Sequence, residues 1–208
     1  MFQELAPEAR REAARVFQPL RVRRGAPLYA LGDPVDGLYL VREGFLWLEG
    51  PRSPTGEAAT LGVVGPGGLL GEEALVGEAR RTAGASALTY GELLFAPKGE
   101  LKALRDRFPE VEAWLLKGIY ARLKAAEERL WEVRHLSVGQ RLARLLLRLS
   151  QGGEVALSHQ DLAHMVGATR ETVTKLLGEW ALLGWVDLGY RRVEVRAREA
   201  LAQQAGAL

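Results

Sequence analysis

The 208-residue chain has no cysteine, no asparagine and only three histidines. The first absence removes disulfides, iron–sulfur clusters, thiolate zinc sites and catalytic thiols together. His135, His159 and His164 all lie beyond residue 134. A metal site in the first 134 residues would therefore have to be built from carboxylates alone, and none is expected. Long apolar runs are missing too. No stretch approaches the roughly 18 apolar residues of a membrane span, and no basic-then-apolar leader opens the chain. The expectation is a cytoplasmic protein with no membrane partner. Basic residues are overwhelmingly arginine, which together with the missing asparagine fits a heat-adapted or GC-rich composition.

What remains is ordinary globular material, 48% apolar and 26% charged, long enough for one large or two small domains. The net charge is +2. Residues 137–208 hold nine basic and seven acidic side chains, so the whole excess lies in the C-terminal third, where it weakly favours nucleic-acid binding.

Three segments follow one another. After a short helix over residues 7–17, residues 20–97 read as short strands with glycine and proline at close intervals. GLYLVREGFLWLEG is expected to be a hairpin turning at Arg42-Glu43-Gly44, and EAATLGVV, RTAGASAL and GELLFAP continue the pattern. Many short strands with regular turns predict an antiparallel sandwich or barrel. From Pro109 the period changes. Leu116, Ile119, Leu123, Ala126, Leu130 and Val133 recur at alternating steps of three and four, the seam of a two-stranded coiled coil, and predict a homodimer. In that register Arg122 would meet Glu127 of a parallel partner. After Ser137 come a helix in RLARLLLRLS, a loop in QGGEVA and a helix that Ser158 can cap, with Leu162, Met165 and Val166 inward. Gly167 then turns the chain into a second helix capped by Thr169. Two short amphipathic helices with a glycine turn are a helix-turn-helix, and GWVDLGYRRVEV reads as a wing, a strand pair about a glycine turn.

The second helix puts Arg170, Glu171, Thr174 and Lys175 on one polar stripe, opposite Val173, Leu176, Leu177 and Trp180. In a helix-turn-helix the N-terminal part of this helix enters the major groove of double-stranded DNA. Arg170 can bond guanine O6 and N7, Glu171 can accept from cytosine N4, and Lys175 can reach another guanine. Ser158, Gln160, Thr169 and Thr172, with Arg191 and Arg192 of the wing, are expected at or near the phosphates.

Taken together, GDPVDGLYLVREG, GPGGLLGEEALVGEARRTA and GATRETVTKLL resemble the Crp/Fnr family of bacterial transcription regulators over nearly the whole chain. The resemblance implies an α+β protein: an N-terminal β jelly roll of the cyclic-nucleotide-binding type over 1–108, a dimerisation helix over 109–136, and a C-terminal winged helix-turn-helix over 137–208. It implies no enzymatic activity, RNA polymerase as a partner, and a switch that rotates the DNA-binding domains about a hinge near Ser137. The family's phosphate-binding cassette maps onto Gly71, Glu72, Arg81 and Thr82, with Glu72 toward a ribose hydroxyl and Arg81 toward a cyclic phosphate, cyclic AMP or cyclic GMP. Where cyclic-AMP-binding members read adenine with a Thr–Ser pair, this chain has Ala126 and Glu127, which alters the pocket. At position 175 it has Lys in place of Arg, a point charge in place of a fork. Iron–sulfur and haem sensing are excluded by the missing cysteines and first-domain histidines. A cupin-type metal enzyme is excluded likewise. GPGGLLGE lies among strands and not at a strand–helix junction, which removes a dinucleotide-binding reading. An interaction module that binds protein in place of DNA is disfavoured by the wing arginines. The expectation is a regulator that binds DNA with no required cofactor; the alternative is a cyclic-nucleotide switch at Glu72 and Arg81.

Overall fold

The computed structural model describes residues 2–52, 58–150 and 153–206. Glu57 of the EAATLGVV stretch and Gln151 and Gly152 of the QGGEVA loop lie outside the described residues. The chain divides into two compact units, Met1–Ala126 and Glu127–Leu208.

In the first unit, α1 (Pro7–Val16) leads into strands β1 (Gln18–Val22), β2 (Pro27–Tyr29), β3 (Gly37–Glu43), β4 (Leu46–Arg52), β5 (Ala58–Val64) and β6 (Leu69–Leu70). A four-residue helix α2 (Glu73–Val76) precedes β7 (Gly84–Ala87) and β8 (Gly91–Pro97). The strands make two antiparallel sheets in the orders β1-β8-β3-β6 and β2-β7-β4-β5, a jelly roll. Between the sheets lie Tyr39, Val41, Leu46, Leu48, Val64, Leu70 and Leu93. On the other face of the first sheet, Leu38, Leu40 and Leu94 pack against Ala9 and Ala13 of α1, against Leu101 and Leu104 of α3 (Lys98–Arg107), and against Val111 and Leu115 of α4 (Pro109–His135).

The expected β3–β4 hairpin does not form. β3 pairs with β6 and β8, whereas β4 pairs with β5 and β7 in the opposite sheet. The reason is legible in β3 itself: Gly37 to Val41 are buried without alternation, because odd residues face the sandwich and even ones face the helices. A strand buried on both faces belongs in mid-sheet with a neighbour on each side, not at a solvated hairpin. Gly44 makes the corner at φ +84°, where a side chain would strike the Tyr90 carbonyl.

α4 is continuous over 27 residues, with Pro109 in its first turn. Gly118 on its inner side lies so close to Leu69 that a Cβ would stand 2.5 Å from Leu69 Cδ1, which explains a glycine in mid-helix.

The second unit contains α5 (Val138–Leu149), β9 (Glu154–Val155), α6 (His159–Val166), α7 (Arg170–Leu182), β10 (Val186–Gly189), β11 (Arg192–Val195) and α8 (Arg198–Gln204). Its core joins Leu142 and Leu146 of α5, Leu162 and Val166 of α6, Val173, Leu177 and Trp180 of α7, Val193 of the wing and Leu201 of α8. The wing is a three-stranded sheet, β10-β11-β9, so part of QGGEVA is a strand where the sequence predicts a loop. A two-residue strand pairing through Val155 and Glu154 is too short to announce itself by alternation. The wing turns at Tyr190-Arg191, with Gly189 already paired to Arg192, and Arg191 holds φ +54°.

The segment around Ser137 carries several local bonds. Ser137 caps α5 in a reciprocal capping box with Gln140. One turn on, the buried Arg141 donates from Nε to Val166 O (2.8 Å) and from Nη1 to Leu136 O (2.8 Å), with Val133 O and Gly167 O at 3.5 and 3.4 Å. One cation thus sits at the carbonyl ends of both α4 and α6, where helix dipoles favour it. Arg141→Met should leave those carbonyls without donors and destabilise the protein by about 3 kcal/mol. Urea unfolding followed by tryptophan fluorescence checks this; an unchanged midpoint would show that Arg141 is not the fastener.

Candidate functional site

The polar face of α7 is built by its buried face. Val173, Leu177 and Trp180 are in the core and Leu176 is half-buried, which leaves Arg170, Glu171, Thr174 and Lys175 exposed together. Thr169 caps the helix by accepting from the Thr172 amide (3.3 Å). The two threonine hydroxyls lie 3.0 Å apart, so one proton bridges them and the other hydroxyl proton is left for a further acceptor. Gly167 ends α6 in the left-handed region at φ +65°, the turn that a side chain would strain. On α6, His159 meets the Thr174 hydroxyl at 3.0 Å and Gln160 meets His164 at 2.7 Å. Burial, with the nearby Arg170 charge, lowers His159; burial lowers His164, against the pull of Asp161. Both shifts disfavour the charged imidazole, so the positive charge on this face rests on Arg170, Lys175 and the wing.

Ser158 caps α6: its hydroxyl donates to Asp161 Oδ2 (2.7 Å) inside a capping box. Asp161 also faces Arg191 Nη2 at 3.6 Å, which ties the wing turn to the start of α6. Arg192 lies 3.6 Å from Glu154. Asp161 was signalled by the S-x-x-D pattern after Val155-Ala156-Leu157, a capping-box signature; nothing local signals Arg141.

On α4 the seam residues Leu116, Leu123, Leu130 and Val133 are 64, 54, 59 and 48% exposed, unusual for side chains of that size. Ala126 is exposed, and Ile119 is half-buried against the helix-facing core. Tyr120 and Trp131 add to the exposed apolar surface of this helix.

The ligand cassette looks different from its sequence. Gly71, at φ +81°, has no room for a side chain because Arg81 Nη1 would lie 2.3 Å from its Cβ. The Arg81 side chain is wholly buried, and both of its terminal nitrogens are held by groups of its own chain. Nη2 donates to the Asp36 carboxylate and to Gly37 O (2.8 Å), Nη1 donates to Glu73 Oε2 (3.3 Å), and the guanidinium lies 4.2 Å over the Tyr29 ring. Thr82 gives its amide (2.8 Å) and its hydroxyl (2.7 Å) to Glu73 Oε1. Burial pulls the Glu73 carboxyl upward, but the Thr82 bonds, its own amide and the Arg81 charge outweigh it and hold it below the usual carboxylate range. Burial pushes the Tyr29 phenol up as well, against the nearby Arg81 charge, so it stays neutral.

Glu72 is also engaged, by Arg122 of α4. Arg122, expected opposite Glu127 of a partner, here pairs with Glu72 of its own chain. That pair borders a cavity of about 250 Å³ also lined by Leu69, Ile119, Leu123 and Ala126. Glu127 is exposed on α4. In this arrangement the Arg81–Thr82 donors face the Glu73 carboxylate. Sequence reasoning did not find Glu73, Asp36 or Tyr29 as part of this cluster; the doubled Glu72-Glu73 was the available signal, and a four-residue helix has no period to say which one points inward. Among the described residues no three His, Asp or Glu side chains are grouped to hold a metal, and no helix is long and apolar enough to cross a membrane.

Comparison with known proteins agrees with this division. Residues 19–108 match the model of the cyclic nucleotide-binding domain, and residues 140–204 match that of the Crp-like helix-turn-helix domain. The chain is 31% identical over 216 residues to a CRP-like cAMP-activated global transcriptional regulator of Mycobacterium tuberculosis, covering 99% of this chain and 96% of the relative. It is 35% identical over 208 residues to the cyclic AMP receptor protein of Thermus thermophilus, with the same coverage of both. The crystal structure of TTHA1359, a CRP/FNR-family transcriptional regulator of the same organism, matches with a TM-score of 0.74 and 30% identity, over 91% of this chain and 99% of that one. A jelly roll of the cyclic-nucleotide-binding type, a long helix and a winged helix-turn-helix, with full-length relatives at this identity, make the chain a member of the Crp/Fnr family of DNA-binding transcription regulators, which are not enzymes.

Proposed function

We propose that this regulator binds a near-palindromic operator as a homodimer through α7, in the cytoplasm, and does so without an effector. The observation that carries the DNA reading is the exposed row Arg170, Glu171, Thr174 and Lys175 on a helix whose opposite face is core. Arg191 and Arg192 add phosphate-seeking charge, and the exposed Thr169 and Thr172 hydroxyls, with the Gln160 amide, suit phosphate oxygens. The dimer is supported by the exposed leucines of α4, whose spacing matches a partner copy of the same helix. Effector independence is supported by Arg81 and Glu72, both engaged by groups of their own chain, and by Ala126, which offers no polar edge to a base. RNA polymerase is the partner that the family implies at a promoter. The second reading, a cyclic-nucleotide switch at Gly71, Glu72, Arg81, Thr82 and Glu127, is favoured by the names of the two relatives, one cAMP-activated and one a cyclic AMP receptor.

Selection from random duplexes should return a near-palindrome with half-sites one helical turn, roughly 34 Å, apart. Arg170→Ala or Glu171→Ala should lose about 1–3 kcal/mol at one base pair and relax specificity there. Arg191→Ala should weaken all sequences alike and reduce the salt slope by about 1. Asymmetric or unpaired selected sites would overturn the dimeric readout.

Leu123→Asp would bury an unpaired charge in an apolar seam, a loss of several kcal/mol. Sedimentation should then give a monomer with little operator affinity; an unchanged dimer mass would show that the seam does not mediate assembly. Operator titration of the ligand-free protein should give full binding, with cyclic AMP or cyclic GMP adding little. A gain of about a hundredfold with either nucleotide, abolished in Arg81→Ala, would restore the switch.

A further inference from the structure

Three donors converge between α2 and β7: the Thr82 amide, the Thr82 hydroxyl and Nη1 of Arg81. An amide, a hydroxyl and a guanidinium aimed at one point make a seat for an oxyanion. In this chain the seat is taken by Glu73, whose side chain is only 7% exposed.

We infer that Glu73 is a built-in anionic ligand: its carboxylate stands where a phosphodiester would, so the cassette rests in an occupied form, and removing the carboxylate opens it to a cyclic-nucleotide-type phosphate ester. The inference deepens the effector-independent reading above and rests on it.

Neutralising Arg81 does not by itself account for Glu73. Asp36 already supplies one carboxylate to the same guanidinium, and Gly37 supplies a carbonyl. Glu73 is a second anion against a single cation. Its shorter bonds, 2.7 and 2.8 Å, run to Thr82, whereas its contact with Arg81 is 3.3 Å. It is held as an oxyanion on donors, with the arginine to one side. The donors are also not exhausted: Arg81 Nε is buried without a hydrogen-bond partner. A phosphodiester carries the same single charge as Glu73 and more acceptor lone pairs. Both together would crowd two anions onto a buried donor set that holds one.

The test compares wild type, Glu73→Ala and Glu73→Gln as full-length protein, by thermal melts and calorimetric titration with cyclic AMP, inorganic phosphate and adenosine. Wild type should melt at the same temperature with or without cyclic AMP. Glu73→Ala should melt lower, recover with cyclic AMP and in part with phosphate, and bind cyclic AMP at least about tenfold more tightly than wild type does. Adenosine, which lacks the phosphate, should restore nothing. Should Glu73→Ala not fold, Glu73→Gln carries the same readout, since it keeps the volume and an acceptor for Thr82 while giving up the charge. A folded variant that takes cyclic AMP no better than wild type, or recovers equally with adenosine, overturns the inference. Operator binding by nucleotide-free wild type is measured alongside. If it fails without cyclic AMP, the effector-independent reading falls; if it succeeds while neither variant gains nucleotide, only the role given to Glu73 falls.

Discussion

A guanidinium withdrawn from water has to be met by acceptors, and Arg81 is withdrawn completely. Its surroundings are organised by that requirement. Tyr29 at the end of β2 supplies a ring face, Asp36 and Gly37 at the start of β3 supply oxygens, α2 turns to present Glu73, and Gly71 forgoes a side chain to let Nη1 through. Segments from both sheets of the jelly roll are thereby drawn to one residue. The cassette that the family uses for ligand recognition is, in this chain, first of all a joint of the fold.

The second unit solves a related problem by other means. Arg141 is nearly as deeply buried, but the acceptors it has are carbonyls: the ends of α4 and α6 close around it, and dipoles take the place of carboxylates. Carbonyls at helix ends cannot move independently of their helices, so the arginine fixes where α6 ends. Gly167 and the Thr169 cap then fix where α7 begins. The exposed polar face of α7 thus takes its position from a buried residue that is not part of it.

Much of this is legible in the sequence. The apolar and polar stripes of α7, the caps at Ser158 and Thr169, the continuous α4 and the antiparallel character of the first unit follow from periodicity and from residues with one strong conformational preference. What escapes is whatever depends on partners distant in sequence. GLYLVREGFLWLEG has the composition of a hairpin, and only burial on both faces, which needs the helices α1 and α3, sends β3 and β4 into different sheets. Arg122 has the heptad position of a partner-seeking side chain, yet Glu72, fifty residues away, reaches it first. Glu73 is invisible for the same reason, because its meaning comes from Thr82 and Arg81. Ser158 is a cap, as its position suggests, and its hydroxyl is turned to Asp161.

The turns described here share one further property. Wherever the backbone of the described residues enters the left-handed region, the residue is glycine or, once, Arg191; it is never asparagine, the other residue suited to that conformation, because the chain has none. Holding an arginine at φ +54° is less favourable than a glycine would be, which marks the wing turn as a place where a positive charge outweighs backbone comfort. The same choice has a chemical side. Deamidation of asparagine–glycine turns, which quickens on heating, has no asparagine to act on in this sequence.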